Sequence, residues 1–463
     1  MYPFPARPPP FDGAVSRLHF TQRQSSSLIS ESSGAAAKTP LPAGIEMVER
    51  CVLEAQQLTL PSGAAGADVH PEGLFPMGLG SALLYSGARK DGTLLFFGLT
   101  DRGPSLPAPR VRLENDGTAD ARYFLSPFFQ PRLVRIEVSA GRARALGPIA
   151  LTNEEGKPYT GLPPKDAADV VALSLVNDRL TPGARSIDPE GLAADGAGGF
   201  WVMDEYGPAL RQFSAQGVEK RVLLPGAGLP QYLAGRPRTL RGLTAAGADD
   251  GRRLLTFDRS AFGVERCFTL IESDPESLAT RCFLWPIERK LWKRTARPTI
   301  GDLAHVAPGR FIAIEQGDAK GGGRLLQLVL GDYREAEDVS GCDPATLGRL
   351  RRGRPGLVGR RTLVNLADLG WSAAKAKGVA VLPDMQTVAV VSDNNFGAEV
   401  RVEDPAFADA PVPPSAVDYV LEPDGGYSFA GKPTAARIIV GRRPPAESRT
   451  DLFLIRFAER LDA

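Results

Sequence analysis

Carboxylates at the ends of short apolar strands are the residues here best placed to do chemistry. In GGFWVMDEYGP, residues 198–208, an apolar run ends in Asp204 and Glu205 and is broken at once by glycine and proline. The arrangement returns in TLLFFGLTDRGP at 93–104, RRLLTFDRS at 252–260, GRFIAIEQG at 309–317 and TVAVVSDNNFG at 387–397. The terminal acids are Asp101, Asp204, Asp258, Glu315 and Asp393. Gathered carboxylates can activate water as general bases, and a ring of their oxygens suits a hard cation such as Ca2+. Like charges that close raise each other's pKa unless a cation or an arginine intervenes. The competing reading is that each acid caps a turn and pairs with Arg102, Arg241 or Arg259, because turns favour Asp, Gly and Pro on backbone grounds.

Elements of one kind must carry these acids. Upstream of each lies a related piece: GSALLYSGARKDG, EGLAADGAGG, RGLTAAGADDG, GDLAHVAPG and KGVAVLPDM. A glycine, a short strand, a polar turn and a second strand ending in an acid make a repeated hairpin. Successive acids stand about 50 to 80 residues apart, except for a gap of roughly twice the shorter spacing between Asp101 and Asp204, which predicts an all-β propeller. Six blades fit best if the segment 128–153 fills the wide gap with a unit of its own; five or seven are alternatives. The strand TDLFLIRF, 450–457, is expected to close the ring against an N-terminal blade. On this fold the acids converge as a ring at one mouth of the central channel.

The phrase DPEGLAADGAGGFWVMDEYGPALRQF, 188–213, resembles the phytase-like family described as having esterase-like activity. GSAL at 80–83 leading to LTDRGP, ALTNEEGKPYTGLPP at 150–164, IGDLAHVAPGRFIAIEQG at 300–317 and VAVVSDNNFG at 388–397 follow in family order, so the likeness spans roughly residues 70–457. The resemblance implies a propeller-like fold and hydrolysis of ester or phosphoester substrates at the channel mouth, with metal assistance. Glu190, Asp204 and Glu205 are then the catalytic candidates, with Asp302 and Asp393 as further carboxylates. Arg102, Tyr206, Arg241 and Lys377 are the substrate-binding candidates. Asp101, Glu190, Asp204, Asp302, Glu315, Asp393 and Asn394 form the candidate ligand set for Ca2+. The family tends to repeat an acid–glycine pair at the hairpin heads. Glu190-Gly191 keeps it, but Arg241 precedes Gly242 and Lys377 precedes Gly378. Two cations in place of acids weaken a Ca2+ site and favour an anion. They also open the alternative of a non-catalytic binding or scaffold propeller. A sugar-lactone or quinone enzyme is a third reading, but Trp201 lies within a strand and reads as core.

Composition bounds the rest. The 463 residues carry 55 Lys+Arg against 54 Asp+Glu, a net charge of +1, which gives no footprint for nucleic acid. No run reaches the length of a membrane helix, so no membrane partner is expected; a small anionic ester or phosphoester is the partner the resemblance implies, and a monomer is the expected state. The N-terminal stretch lacks the apolar core of a secretory signal, so the compartment is cytoplasmic, or periplasmic or secreted if an export signal is missing. Residues 1–43, rich in Pro, Ser and Ala, are expected to form an extended arm before a propeller domain at 44–463. His19, His70 and His305 lack metal-ligand spacing. Cys267 and Cys282 stand at equal distance from Asp274-Pro275; a tight hairpin there would oppose them within disulfide reach, and two reduced thiols are the alternative.

Overall fold

A computed structural model describes residues 40–54, 57–59, 74–165, 170–245, 253–259, 267–295, 298–342 and 356–463. The expected arm, as far as residue 39, and His19 and His70 lie outside the described residues. The chain alternates strands and turns, and among the described residues the one α-helical turn is Pro445–Ser448.

Among the described residues, five antiparallel blades of four strands account for the repeated hairpins. The first blade holds Ala82–Ala88, Leu94–Leu99, Arg132–Ser139 and Arg142–Ala150. The second holds Pro189–Ala194, Phe200–Asp204, Ala209–Phe213 and Glu219–Pro225, with a short parallel addition at Gly228–Leu229. The third runs Leu240–Ala245, Leu254–Asp258, Cys267–Ser273 and Thr280–Pro286. The fourth runs Thr299–Ala307, Arg310–Asp318, Arg324–Asp332 and Gly359–Asn365. The fifth combines Ala376–Val381, Thr387–Ser392, Thr450–Phe457 and, from the other end of the chain, Ile45–Glu54. The inner strands of successive blades neighbour one another, and that of the fifth returns to the first. Thr450–Phe457 pairs with both Thr387–Ser392 and Ile45–Glu54, so the expected closure is present and both edges of Thr450–Phe457 are paired.

The expectation of six blades is corrected to five. Strands at 132–150 are the outer half of the first blade rather than a separate unit. Among the described residues the wide gap is filled instead by a hairpin, Ser105–Arg112 with Thr118–Phe124, by the strand Val170–Leu173 paired in parallel with the latter, and by turns on either side. This hairpin leaves the first blade between its second and third strands. A second excursion leaves the fifth blade at the same point, with Ala398–Glu403, Tyr419–Leu421 and Arg437–Arg442 among its strands. The two excursions pair in parallel at Arg110↔Val420 and Val111↔Leu421, and share an apolar core of Leu106, Val111, Tyr123, Leu173, Ile438 and Val440.

Burial follows strand position. Second strands such as FWVMD, LLTFD and TVAVVS are buried at every residue, because blades cover both their faces. Outer strands alternate, as in RLVRIEVS. Aromatic rings seal the blade junctions: Phe257, Trp285 and Phe311 lie 5.5–5.8 Å apart between the third and fourth blades. Trp201 is core, as read from the sequence. Gly191 shows why glycine heads the hairpin: a Cβ there would lie 2.6 Å from the backbone of Gly242 and Leu243 on the next inner strand. The cysteine pair does not meet. The turn spans six residues, so Cys267 faces Pro286, Cys282 faces Ile271, and both thiols are free.

Candidate functional site

Two adjacent residues end each second strand, and they point opposite ways. The first of the two pairs with the inner strand at Pro189↔Asp204, Leu240↔Asp258, Ile300↔Glu315 and Ala376↔Ser392, and Thr100 fills this place in the first blade. Its side chain turns back into the protein. Asp204 accepts Arg211 Nε at 3.0 Å and the backbone N–H groups of Asp188 and Tyr206, both at 3.1 Å. Glu315 accepts Trp285 Nε1 and an Arg360 guanidinium nitrogen, each at 2.6 Å. Ser392 accepts the Asp451 N–H at 2.9 Å. The second residue of the two is Asp101, Glu205, Arg259, Gln316 or Asp393; of these Asp101, Glu205, Arg259 and Asp393 line the mouth, while Gln316 spends its amide on the Ala376 backbone, accepting its N–H at 3.2 Å and donating to its carbonyl at 2.9 Å.

Asp204, Asp258 and Glu315 are therefore corrected: all three were placed in the ring, and all three are one residue out of register with it. Asn394 is corrected too, because it caps the turn, accepting the Phe396 N–H at 2.9 Å and donating to the Ser448 carbonyl at 2.8 Å. Tyr206 is buried and gives its hydroxyl to the Gly161 carbonyl at 2.5 Å. Gly161 itself is pressed against Arg102, where a Cβ would overlap the Arg102 carbonyl oxygen at 1.6 Å. Asp302 stands deeper. It replaces a glycine of the hairpin head and accepts the Leu243 and Val379 N–H groups at 3.3 and 3.2 Å. Burial pushes its carboxyl well above the ordinary range, against further backbone bonds from Leu303 and Leu83.

At the mouth the structure brings together Asp101, Arg102, Glu190, Glu205, Arg241, Lys377 and Asp393 from the sequence-derived set. It adds Asp188, Arg259 and Lys375, which the strand-end pattern did not single out as site residues. Asp188 immediately precedes the inner strand of the second blade, and its place in the DPEG phrase was the available signal. Ion pairs tie the groups: Arg102 with Asp188, Lys377 with Glu190, Arg241 with Glu205, and Lys375 with Asp393 at 3.2 Å. Arg259 approaches Glu205 at 3.6 Å. Burial alone would raise Glu205, but Arg241, Arg102, Arg259 and Lys377 hold it at about 2. Asp393 is likewise held low by Lys375 and Lys377 against its burial.

Asp101 differs from its row. It accepts the Gly103 N–H at 2.8 Å, and it lines a small cleft with Gly78, Gly80, Ser81, Asp393 and Phe396. Burial raises its carboxyl to about 6; Arg102 pulls it down, while Asp393 and Glu190 push it up. Burial also raises Asp188, opposed by Arg102.

Asp188, Glu190 and Glu205 offer oxygens within 4.8 Å of one another and could hold a metal ion. Each of the three, however, already faces a guanidinium or ammonium group. The donors suit a hard cation in type and spacing, but its charge is supplied by Arg102, Lys377 and Arg241.

A family model described as phytase-like, esterase-like activity of phytase, matches residues 80–396. No curated protein matches the chain by sequence. Among solved structures, a periplasmic gluconolactonase from Pseudomonas aeruginosa is similar at 12% identity and a TM-score of 0.31, covering 85% of this chain and 99% of its own. An alpha-L-arabinanase from Penicillium chrysogenum, complexed with arabinobiose, is similar at 11% identity and a TM-score of 0.33, covering 87% of this chain and 98% of its own.

Proposed function

The chain belongs to the phytase-like family, and from that premise we propose that it hydrolyses small anionic esters at the channel mouth, with Asp101 as general base. The observation that carries this reading is a single partly exposed carboxyl, raised to about 6, beside a cleft whose other acids are paired with cations. A base works best when its pKa lies near the working pH. Glu205, held at about 2, is ionised but too weak a base, and serves to anchor Arg241 and Arg259. Of the catalytic candidates read from the sequence, Glu190 keeps a place beside Lys377, and Asp204 has an architectural role.

In the proposed reaction Asp101 takes a proton from water as its oxygen attacks the ester centre. Arg102 and Lys377 balance the developing negative charge. The bond to the leaving oxygen breaks, and that oxygen receives the proton from Asp101. Ca2+ is not routed through this sequence. To bind at Asp188, Glu190 and Glu205 it would have to displace three cationic side chains, so removing divalent ions with EDTA should leave the rate unchanged. Hydrolysis of p-nitrophenyl phosphate and p-nitrophenyl acetate by the wild-type protein and by Asp101→Asn tests the proposal. The expected loss in the variant is ~100-fold or more. Equal rates in both proteins would remove Asp101 from the role.

The saturated pairs Arg241–Glu205 and Lys377–Glu190 favour a second reading, a binding propeller without turnover. It predicts ligand binding with background hydrolysis in every variant.

A further inference from the structure

We infer that Asp302 is a positioning residue, whose carboxylate ties the hairpin heads of the first, third and fifth blades on the channel axis and so sets the spacing of Ser81, Arg241 and Lys377 at the mouth. The inference rests on the hydrolase reading where it gives these heads a part in the reaction. The tie itself is a matter of backbone geometry and stands without turnover.

Register places the donors. The inner strands align as Glu190-Gly191-Leu192, Arg241-Gly242-Leu243, Gly301-Asp302-Leu303 and Lys377-Gly378-Val379, with Ser81-Ala82-Leu83 in the first blade. The middle residue packs on the strand that follows. A Cβ at Gly191 would lie 2.6 Å from the Leu243 nitrogen, and one at Gly378 would lie 2.8 Å from the Leu83 nitrogen. A Cβ at Gly242 would lie 2.9 Å from Asp302 Cα and 3.0 Å from its Oδ1. In the fourth blade the crowded position carries a carboxylate, and Gly301 takes over the close approach: a Cβ there would lie 2.5 Å from the Ala376 carbonyl oxygen.

Asp302 collects the N–H groups that converge on it. Its Oδ1 accepts the Leu243 N–H at 3.3 Å and its Oδ2 the Val379 N–H at 3.2 Å. The Leu83 and Leu303 N–H groups add to them. These four donors match the roughly four lone-pair sites of a carboxylate. Among the described residues its bonds come from the backbone, whereas Glu190, Glu205 and Asp393 at the mouth face cations. The residue is buried, and a buried carboxylate is costly unless satisfied, so the strands are held to the geometry that satisfies it.

Each tied N–H from another blade lies two residues beyond a group of the mouth. Leu83 follows Ser81, which lines the Asp101 cleft. Leu243 follows Arg241, which pairs with Glu205. Val379 follows Lys377, which pairs with Glu190 and balances charge in the proposed reaction. A strand advances about 3.3 Å per residue, so the tie lies about 7 Å along the strand from these groups. A strand displaced at the tie carries its mouth residue with it.

Two variants of the full chain test the inference. Asp302→Asn keeps the volume and one acceptor oxygen but turns an amide N–H toward N–H donors. Asp302→Gly carries the residue of three other heads and empties the cradle of N–H groups. With p-nitrophenyl acetate, each should lower kcat ~10-fold or more below its melting transition, because misplaced reacting groups cost at least that. Sodium formate, a free carboxylate, should recover most of the loss in Asp302→Gly, measured against wild type in the same salt. Sodium chloride at equal ionic strength should not. Glu272→Gln is the control: this buried acid lies on the third strand of its blade and binds Tyr333 and Arg281, so its loss should lower the melting temperature without lowering kcat or responding to formate. Circular dichroism checks each fold, and Asp302→Asn carries the test if Asp302→Gly does not fold. Wild-type kcat in the Asp302 variants overturns the positioning role, as does a loss in folded Asp302→Gly that formate leaves unchanged. Amide hydrogen exchange reads the tie apart from activity. Asp302→Asn should quicken exchange ~10-fold or more in peptides spanning Leu83, Leu243 and Val379, and unchanged protection there overturns the tie. If protection is lost and wild type cleaves no ester, the tie stands and the hydrolase reading falls. If wild type and both variants cleave the ester equally, the hydrolase reading stands and the positioning role falls.

Discussion

Asp204 and Glu205 are consecutive in the chain and opposite in surroundings. Asp204 turns into its own blade and holds Arg211, which in turn reaches Glu219 at 2.8 Å. Glu205 turns to the axis and holds Arg241 on the next inner strand. The same split separates Glu315 from Gln316 and Ser392 from Asp393. The first member of each pair ties strands or neighbouring elements together. The second faces the mouth as an acid or an arginine in four blades, while Gln316 of the fourth blade binds the backbone of Ala376 on the next inner strand. Architecture and chemistry are thus allotted to alternate residues of one strand end, and a shift of one residue exchanges them.

Substitution should separate the two rows. Asp204→Ala leaves Arg211 with its buried partner removed, and should cost about 3–5 kcal/mol in urea unfolding. A loss below about 1 kcal/mol would break the assignment of this row to architecture. Glu205→Gln should cost about 2–3 kcal/mol at pH 7. Its folded carboxyl sits near 2 against an ordinary 4.5, so the stabilisation is full above about pH 4.5 and disappears as pH falls through 2. Wild-type and variant unfolding curves should therefore converge in acid, and a gap that persists at pH 2 would deny the ion pairing.

Asp101→Asn should have the smallest effect on stability, and the opposite sign. The folded carboxyl, near 6 against an ordinary 3.8, holds its proton more tightly than the unfolded one. Wild-type stability on this account falls as pH rises from about 4 through 6. The variant should be the more stable above pH 6, by about 1–2 kcal/mol after solvent screening, and equal below pH 4. Destabilisation at pH 7 would move Asp101 into the architectural row.

The repeated hairpin was legible because glycine, strand, turn, strand and acid recur with their burial needs intact. Ring closure by Thr450–Phe457 was legible for the same reason. The blade count was not, since the excursion strands 105–124 have strand-like composition and their destination is a contact with 398–442, far away in sequence. The site was half legible. Asp101 and Asp393 follow Thr100 and Ser392, so there the acid nearest the strand end is the axial residue. In the second, third and fourth blades the acid nearest the strand end, Asp204, Asp258 or Glu315, occupies the inward place, and an acid alone does not reveal its face. Asp302 misled in another way: it stands where other hairpins carry glycine, and its carboxylate is consumed by backbone N–H groups of neighbouring inner strands.

The most direct measurement is a crystal structure of the protein soaked in phosphate. The account predicts anion density at the mouth, within hydrogen-bond reach of Arg102 and Lys377 and beside Asp101. Density at Arg211 and Asp204 with none at the mouth would contradict it.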